Sequence, residues 1–273
     1  MTVQIFGISE PAWRLTFFAA IFLSLALLEL AHPRLERPEL MRALKARRWF
    51  TNLSILILSS LLLRMIFPAA ATGVALYADA HGYGLLPMLG LPSLVSGLLA
   101  FVVLDFAIWV EHVLFHKVPL FWRVHRVHHA DTGLDLTTAL RFHPLEILLS
   151  VLWKSVVILS IGAPPVSVLI FEIVLNGAAM FNHANLKLPA RVDRLLRRLI
   201  VTPDMHSIHH SADPDETDTN YGFNLSLWDR LFSTYRERSK HSPETMRIGL
   251  AQYPNPSPAR LSWSLLLPFR KTG

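Results

Sequence analysis

Eight of the thirteen histidines in this 273-residue chain fall into three short clusters. The first cluster has the spacing H-x3-H, and the second and third both have the spacing H-x2-HH. Side chains three or four residues apart share one face of a helix, so each cluster directs two or three imidazoles toward one point. Imidazole nitrogen is a good ligand for iron, zinc and copper. We therefore interpret the clusters as metal ligands. They comprise His112, His116, His125, His128, His129, His206, His209 and His210.

The number of imidazoles predicts two metal ions held close together, because eight exceed what one centre with an open coordination position needs. The chain has no cysteine, which excludes thiolate ligands, iron–sulfur clusters and disulfides. No carboxylate lies between His112 and His116, so the pattern is not that of an H-E-x-x-H zinc peptidase. We predict no catalytic residues beyond the metal ligands. Because the sequence carries no flavin or haem module, redox chemistry would need an external electron donor.

Long apolar segments must position these histidines, and 52% of the chain is hydrophobic. Three runs, at 15–30, about 50–77 and 91–110, approach or exceed the ~20 residues that cross a bilayer. A fourth run at 145–181 is broken by Gly162 and two prolines, which predicts two helices joined by a tight turn. We therefore predict an all-α integral membrane protein with four to five membrane-embedded helices, in a single domain over residues 1–273.

The distribution of basic residues predicts the orientation. Residues 79–90 carry no lysine or arginine, whereas residues 32–48 carry six basic side chains. These six are Arg34, Arg37, Arg42, Lys45, Arg47 and Arg48. By the positive-inside rule the 32–48 segment is cytoplasmic, and the span that ends at His116 brings the clusters to the same side. The net charge of +6 is explained by this topology and by anionic lipid head groups, so we expect no nucleic-acid partner.

Two further segments have local signals. Residues 190–201 alternate arginine and leucine, which predicts an amphipathic helix either lying in the membrane interface or packed on the cytoplasmic domain. The tail after residue 253 contains four prolines and is expected to be extended.

The flanks of the clusters carry a resemblance to a known family. An aspartate stands seven residues before His112, R-x-H-P-x-E surrounds His143, FNHANL contains His183, and N-Y-G and W-D-R-x-F follow the last cluster. Residues 101–236 thereby resemble the fatty acid hydroxylase and sterol desaturase superfamily of histidine-box membrane di-iron oxygenases. The spacing of the first five histidines is also similar to that of the alkylglycerol monooxygenases, which are pterin-dependent ether-lipid hydroxylases.

The resemblance implies a bundle of transmembrane helices capped by a cytosolic helical domain, with two iron ions that activate dioxygen against a lipid C–H bond. The reaction would be hydroxylation or desaturation of a fatty acyl, sterol, ether-lipid or related substrate. Electrons would come from an electron-transfer protein or a reduced pterin. The protein would lie in the inner membrane of a bacterium or the endoplasmic reticulum of a eukaryote, with the metal site on the cytoplasmic side.

The resemblance also assigns roles to four more residues. His183 matches an additional histidine of the family, as a ligand or as a support for one. Asp105 is expected either to orient a ligand imidazole or to be satisfied by a neighbouring helix. His143 is expected to support the site, and Asn220 to shape the last cluster or to bind a water.

Two alternatives remain open on the residues alone. One is a membrane hydrolase with two zinc ions, and the other is a non-catalytic membrane protein that binds metal or haem. The identity of the metal distinguishes a di-iron oxygenase from the hydrolase. Oxygen-dependent product formation distinguishes the oxygenase from the non-catalytic protein.

Overall fold

A computed structural model describes residues 4–5, 7–36, 39–68 and 70–270 of the chain. Arg37, one of the six basic residues used to predict the orientation, lies outside these ranges. The apolar segments form long helices that are capped at one end by short helices and loops. The long apolar part comprises α1 (Glu10–Ala31), α2 (Glu39–Ile66), α3 (Ala70–Ala80), α4 (Leu85–Met88), α5 (Ser93–Lys117), α7 (Pro144–Ile161) and α8 (Pro165–His183).

The cap is built from the segments that follow α5 and α8. Its helices are α6 (Pro119–His129), α9 (Ala190–Leu196), α10 (Pro203–His209), α11 (Pro214–Thr217), α12 (Leu227–Leu231) and α13 (Leu261–Leu266). Short 3-10 helices lie at Leu136–Leu140, Ser257–Ala259 and Leu267–Phe269. The strands β1 (Gln4–Ile5) and β2 (Ile8–Ser9) pair antiparallel just before α1.

Within the described residues, five segments are long and apolar enough to cross a bilayer, which confirms the predicted all-α membrane fold. They are α1, the α2–α3 segment, α5, α7 and α8. The predicted turn between α7 and α8 is also confirmed. Gly162 ends α7 with a left-handed φ of 65°, and a Cβ there would lie 2.3 Å from the carbonyl oxygen of Tyr83.

The predicted span at 50–77 is not one continuous helix, because α2 ends at Ile66 and α3 begins at Ala70. Pro68 lacks an N–H and disfavours the helical conformation of the residue before it. Ala70 has a φ of 47°, in the left-handed region. Both α2 and α3 pack against α7, so the two pieces follow the same neighbour across the break.

The segment that follows α1 and the histidine clusters lie at the same end of the helices. Arg34 forms an ion pair with Asp204, and Pro33 pairs with Leu186 just after α8. Arg48, however, is fully buried and donates to Asp131 at 2.5 Å and to Asp135 at 2.9 Å. Its charge is neutralised inside the protein, so it does not contact lipid head groups as the charge pattern had suggested.

Two local predictions differ from the structure. The helix predicted at 190–201 ends at Leu196, and Ile200 instead forms a bridge with Leu225. The prediction of an extended tail is wrong, because residues 261–266 contain no proline and form α13. Trp263 and Leu267 pack there against Ile55 of α2.

Candidate metal centre

Four helices bring the cluster histidines together. His112 and His116 lie one turn apart at the end of α5, and α6 carries the second cluster in its last two turns. His183 is the last residue of α8, and α10 with its C-cap residue carries the third cluster. All nine side chains lie in the interior, eight of them with at most 2% of their surface exposed.

The ring nitrogens form two groups, and within each group they lie within 4.8 Å of one another. This is the scale of ligand separations around one ion with bonds of about 2 Å. Group one contains five imidazoles, from His112, His116, His125, His129 and His209. Group two contains four, from His128, His183, His206 and His210. The two groups adjoin, since the rings of His129 and His210 stack with centroids 4.5 Å apart.

Each H-x2-HH cluster contributes to both groups. In α6, His125 and His129 belong to group one and His128 to group two. In the third cluster, His209 belongs to group one, whereas its neighbour His210 belongs to group two. Adjacent residues on a helix point about 100° apart, so the two consecutive histidines face different centres.

Backbone carbonyls fix the protonation of three imidazoles. His112 Nδ1 donates to the carbonyl oxygen of Tyr221 at 2.6 Å, and His183 Nδ1 donates to that of Ala179 at 2.6 Å. His209 Nδ1 donates to the carbonyl oxygen of Thr219 at 2.7 Å. A carbonyl can only accept, so Nδ1 carries the proton and the Nε2 lone pair faces the group.

One imidazole is oriented by a side chain. His125 Nδ1 lies 2.5 Å from Oε1 of Glu146, the carboxylate of the R-x-H-P-x-E stretch. His125 Nε2 is then left to face His112 Nε2 at 3.1 Å. Two lone pairs directed at each other repel, and a cation between or beside them removes that repulsion.

The electrostatics of the cap keep the histidines neutral. Burial lowers the pKa of His125 to about 3. Burial, followed by neighbouring imidazoles, also lowers the pKa of His128, His129 and His210 well below the usual value. Neutral imidazole is the form that binds metal. The two groups therefore fit two metal ions, and a nitrogen-only set suits iron, zinc or copper.

Asp105 does not orient a histidine in the described part of the chain. Its carboxylate accepts from Asn224 Nδ2 at 2.9 Å, from Trp228 Nε1 at 2.8 Å and from the N–H of Leu225. It thereby ties the loop after the last cluster to α5. This outcome corresponds to the alternative of a buried polar residue satisfied by a neighbouring element.

His143 and Asn220 both form hydrogen bonds with backbone groups. His143 Nδ1 accepts from the N–H of Leu145 and caps α7, and Nε2 donates to the carbonyl oxygen of Leu265. Asn220 adopts a left-handed φ of 53°. This turn lies between the two carbonyls, of Thr219 and Tyr221, that hold His209 and His112.

Asp229 holds this turn, and sequence reasoning assigned it no role. Its carboxylate accepts from the N–H groups of Tyr221 and Gly222, both at 2.9 Å, and from Trp109 Nε1 at 3.0 Å. The W-D-R-x-F motif contains this residue, but the motif does not reveal which backbone groups it binds.

A cavity of about 860 Å³ begins at group one and extends between the long helices. His112 and His125 line its inner end, whereas no member of group two lines it. Its walls are mainly apolar near the histidines, with Phe115, Leu140 and Phe223 among them. An apolar cavity of this size suits a small-molecule or lipid chain.

Comparison with known proteins identifies the family. The family model for fatty acid hydroxylases matches residues 97–234, about half of the chain. The chain therefore belongs to the fatty acid hydroxylase family, as the histidine boxes indicated. No solved structure matches.

Curated relatives are similar over the same part of the chain. The ornithine lipid hydroxylase OlsE of Rhizobium tropici is 28% identical over 159 residues, which cover 58% of this chain and 46% of the relative. The alkylglycerol monooxygenase of Danio rerio is 33% identical over 144 residues, covering 52% of this chain and 30% of the relative. The cholesterol 25-hydroxylase-like protein of Danio rerio is 27% identical over 135 residues, covering 49% of this chain and 52% of the relative. The matched segment thus spans from 30% to 52% of the length of these relatives.

Proposed function

We propose that this protein is a membrane-bound di-iron enzyme that uses dioxygen to hydroxylate or desaturate a C–H bond of a lipid. The observation that carries the proposal is the position of group one at the inner end of an apolar cavity between membrane helices. Family membership supports it, as do relatives named for hydroxylating ornithine lipid and alkylglycerol. We propose residues 101–236 as the histidine-box region of a single membrane domain.

The nine histidines would hold two iron ions, one in each group. When bound, the irons supply the activation of dioxygen. The chain's own residues fix the imidazole orientations, hold the neutral protonation state and surround the inner end of the cavity with apolar side chains. A cavity of that kind excludes water and holds the target carbon beside group one.

The electrons would come from outside the chain. The described residues include no cysteine, and the sequence carries no flavin-binding or haem-binding motif. An electron-transfer protein or a reduced pterin would supply them at the cytoplasmic face, where we propose the cap lies.

The metal content tests the proposal directly. Protein purified in mild detergent from iron-replete cells under anaerobic conditions should contain two iron ions per chain by elemental analysis. Incubation with a reductant and ¹⁸O₂ should give a labelled or desaturated lipid. One metal or none per chain would reject the two-ion site. Zinc-dependent lipid cleavage without oxygen would support the hydrolase, and metal binding without any lipid product would support a non-catalytic protein.

Single substitutions test the two groups separately. We expect His129→Ala in group one and His128→Ala in group two each to abolish product formation and lower the metal content, while the protein still inserts, because apolar spans direct insertion. His81→Ala and His241→Ala are matched controls, since both side chains are exposed and outside the groups. A group variant that keeps most of the product formation would contradict the assignment.

A further inference from the structure

Charged side chains line the cavity on the side away from the histidines. Glu172 accepts from Lys154 Nζ at 2.6 Å through one oxygen and from Arg14 Nη2 at 2.6 Å through the other. Arg14 also donates to Thr72 Oγ1 at 2.8 Å and pairs with Glu10. We call these four charged residues and Thr72 together the charged cluster. All of them line the cavity.

The charged cluster stands at a fixed distance from group one. Glu146, Ser150 and Lys154 are four residues apart along α7, so they share one face of the helix, and all three line the cavity. Glu146 contacts His125, and the helix rises ~12 Å between Glu146 and Lys154. The cavity is therefore bounded by imidazoles at one end and by ions at the other.

The ion end of the cavity also contains an arginine, Arg64. Arg64 lines the cavity beside the charged cluster and has no ion-pair or hydrogen-bond partner in the described part of the chain. Arg14 and Lys154 pair with the acidic side chains Glu10 and Glu172. Glu111 and Glu146 also line the cavity, so the site is distinguished by Arg64, which is unpaired among the described residues, and not by an excess of cations. Among the described residues Lys154 donates a hydrogen bond to Glu172, which leaves two of its three protons for other acceptors.

The break between α2 and α3 lies at the same place. Phe67, Pro68 and Ala70, which connect these helices, line the cavity. Non-helical backbone at membrane depth is tolerated where it lines a polar or water-filled cavity, and ionisable groups in a span are costly unless they serve a site. The charges and the interrupted helix together mark a polar binding site.

We propose that the charged cluster and Arg64 bind the anionic head group of an amphiphilic lipid, a carboxylate or a phosphate, while its chain extends along the apolar wall to His112 and His125. This proposal rests on the proposed function only for the oxidation of the lipid chain at group one. The fixed separation along α7 determines which carbon reaches the histidines, so the oxidised position is counted from the head group.

Ligand binding to the purified protein tests the head-group site without any requirement for metal or oxygen. A fluorescent C16 carboxylate bound to the protein in detergent is displaced by palmitate, by its methyl ester and by hexadecyl phosphate. We expect the ester to bind about tenfold or more weakly than at least one of the anions, because it lacks the charge. Whichever of palmitate and hexadecyl phosphate binds more tightly shows whether the head group is a carboxylate or a phosphate.

Variants identify the residues. Arg64→Gln breaks no ion pair with any described residue, so we expect the fold to be intact, the anion affinity to fall about tenfold and the ester affinity to be unchanged. Lys154→Met should lower the anion affinity further, whereas Lys154→Arg should retain most of the affinity. Arg194→Gln is the matched control, because Arg194 is exposed and lies outside the cavity.

Equal affinity for the ester and for both anions in the unsubstituted protein overturns the head-group site, as does an Arg64→Gln variant with unchanged selectivity. If lipid oxidation is observed in either case, the proposed function stands and the head-group site fails. If anion-selective binding is found without any oxidation, the head-group site stands and the proposed function fails.

Discussion

At the scale of single residues, the imidazoles of group one are held in two ways. Carbonyl oxygens of the backbone hold His112 and His209, and no substitution removes these acceptors. A side chain, Glu146, holds His125. The orientation of His125 is therefore open to mutation of Glu146.

We expect Glu146→Ala to weaken metal binding by about 10- to 100-fold, because His125 loses the acceptor that fixes its ring and its protonation. Glu146→Gln retains an acceptor oxygen and should lose less. Metal titration followed by elemental analysis measures the effect. Glu237→Ala serves as the control, since Glu237 is exposed in the cap. Unaltered metal affinity in Glu146→Ala would show that the contact does not orient His125.

The sequence predicted the histidines better than the backbone and side-chain atoms that hold them in place. Spacing and resemblance identified the nine residues that the structure gathers into two groups. The carbonyl partner of His112 belongs to Tyr221, over a hundred residues later in the chain. Backbone donors and acceptors have no residue type that a pattern could detect, and Asp229 holds the turn through backbone N–H groups. These parts of the site depend on the fold and could not be predicted locally.

At the scale of elements, apolar run length predicted the spans, because the cost of exposing polar backbone to lipid dominates there. The break at Pro68 was missed since the apolar composition continues across it. Arg48 was taken for a charge facing the cytoplasm, because loop composition does not show that α2 begins before it and buries its side chain against Asp131.

We expect Arg48→Met to destabilise the protein by about 3–5 kcal/mol, because Asp131 and Asp135 would lose the cation that joins α2 to the second cluster. Burial raises the pKa of Asp131, whereas Arg48 and then Arg141 lower it, so the variant leaves a buried carboxyl group without its main stabilising cation. Thermal unfolding in detergent measures the loss. Arg47→Met, at an exposed neighbouring position, should be nearly neutral. Equal melting temperatures for the two variants would contradict the role of the pair.

At the scale of the whole molecule, the histidines control the response to acid. Several imidazoles of the cap have a lowered pKa in the folded state, to about 3 for His125. The unfolded chain therefore binds more protons below the ordinary histidine pKa of about 6.5, and stability falls as the pH falls through that value. Each such histidine contributes a slope of about 1.4 kcal/mol per pH unit.

We accordingly expect the metal-free protein to be stable above about pH 7 and to unfold steeply as the pH falls below about 6.5. Melting temperatures measured in detergent between pH 5.5 and 8 test this expectation. Added iron should move the transition to lower pH, because bound metal competes with protons. A melting temperature that does not depend on pH in this range would contradict neutral, buried imidazoles.

The absence of cysteine allows a direct test of the proposed orientation. We expect a single cysteine in His81→Cys to react with a membrane-impermeant maleimide in intact cells, and one in His241→Cys to react only after permeabilisation. Both positions are exposed, so reactivity reports the side of the membrane. The opposite pattern would place the histidine groups away from cytosolic electron donors, and the oxygenase proposal would then need another reductant.

The order of the histidines along the chain determines when the metal centre can form during synthesis. Group one needs imidazoles from both α5 and α10, and the turn that orients two of them depends on Asp229. A nascent chain that still lacks residue 229 has already produced all five candidate spans, yet it presents only incomplete or poorly oriented imidazole sets. Under the proposed function, iron would thus be acquired in a late step that follows membrane insertion. A polypeptide truncated by stalled translation would reach the membrane without a redox-active centre.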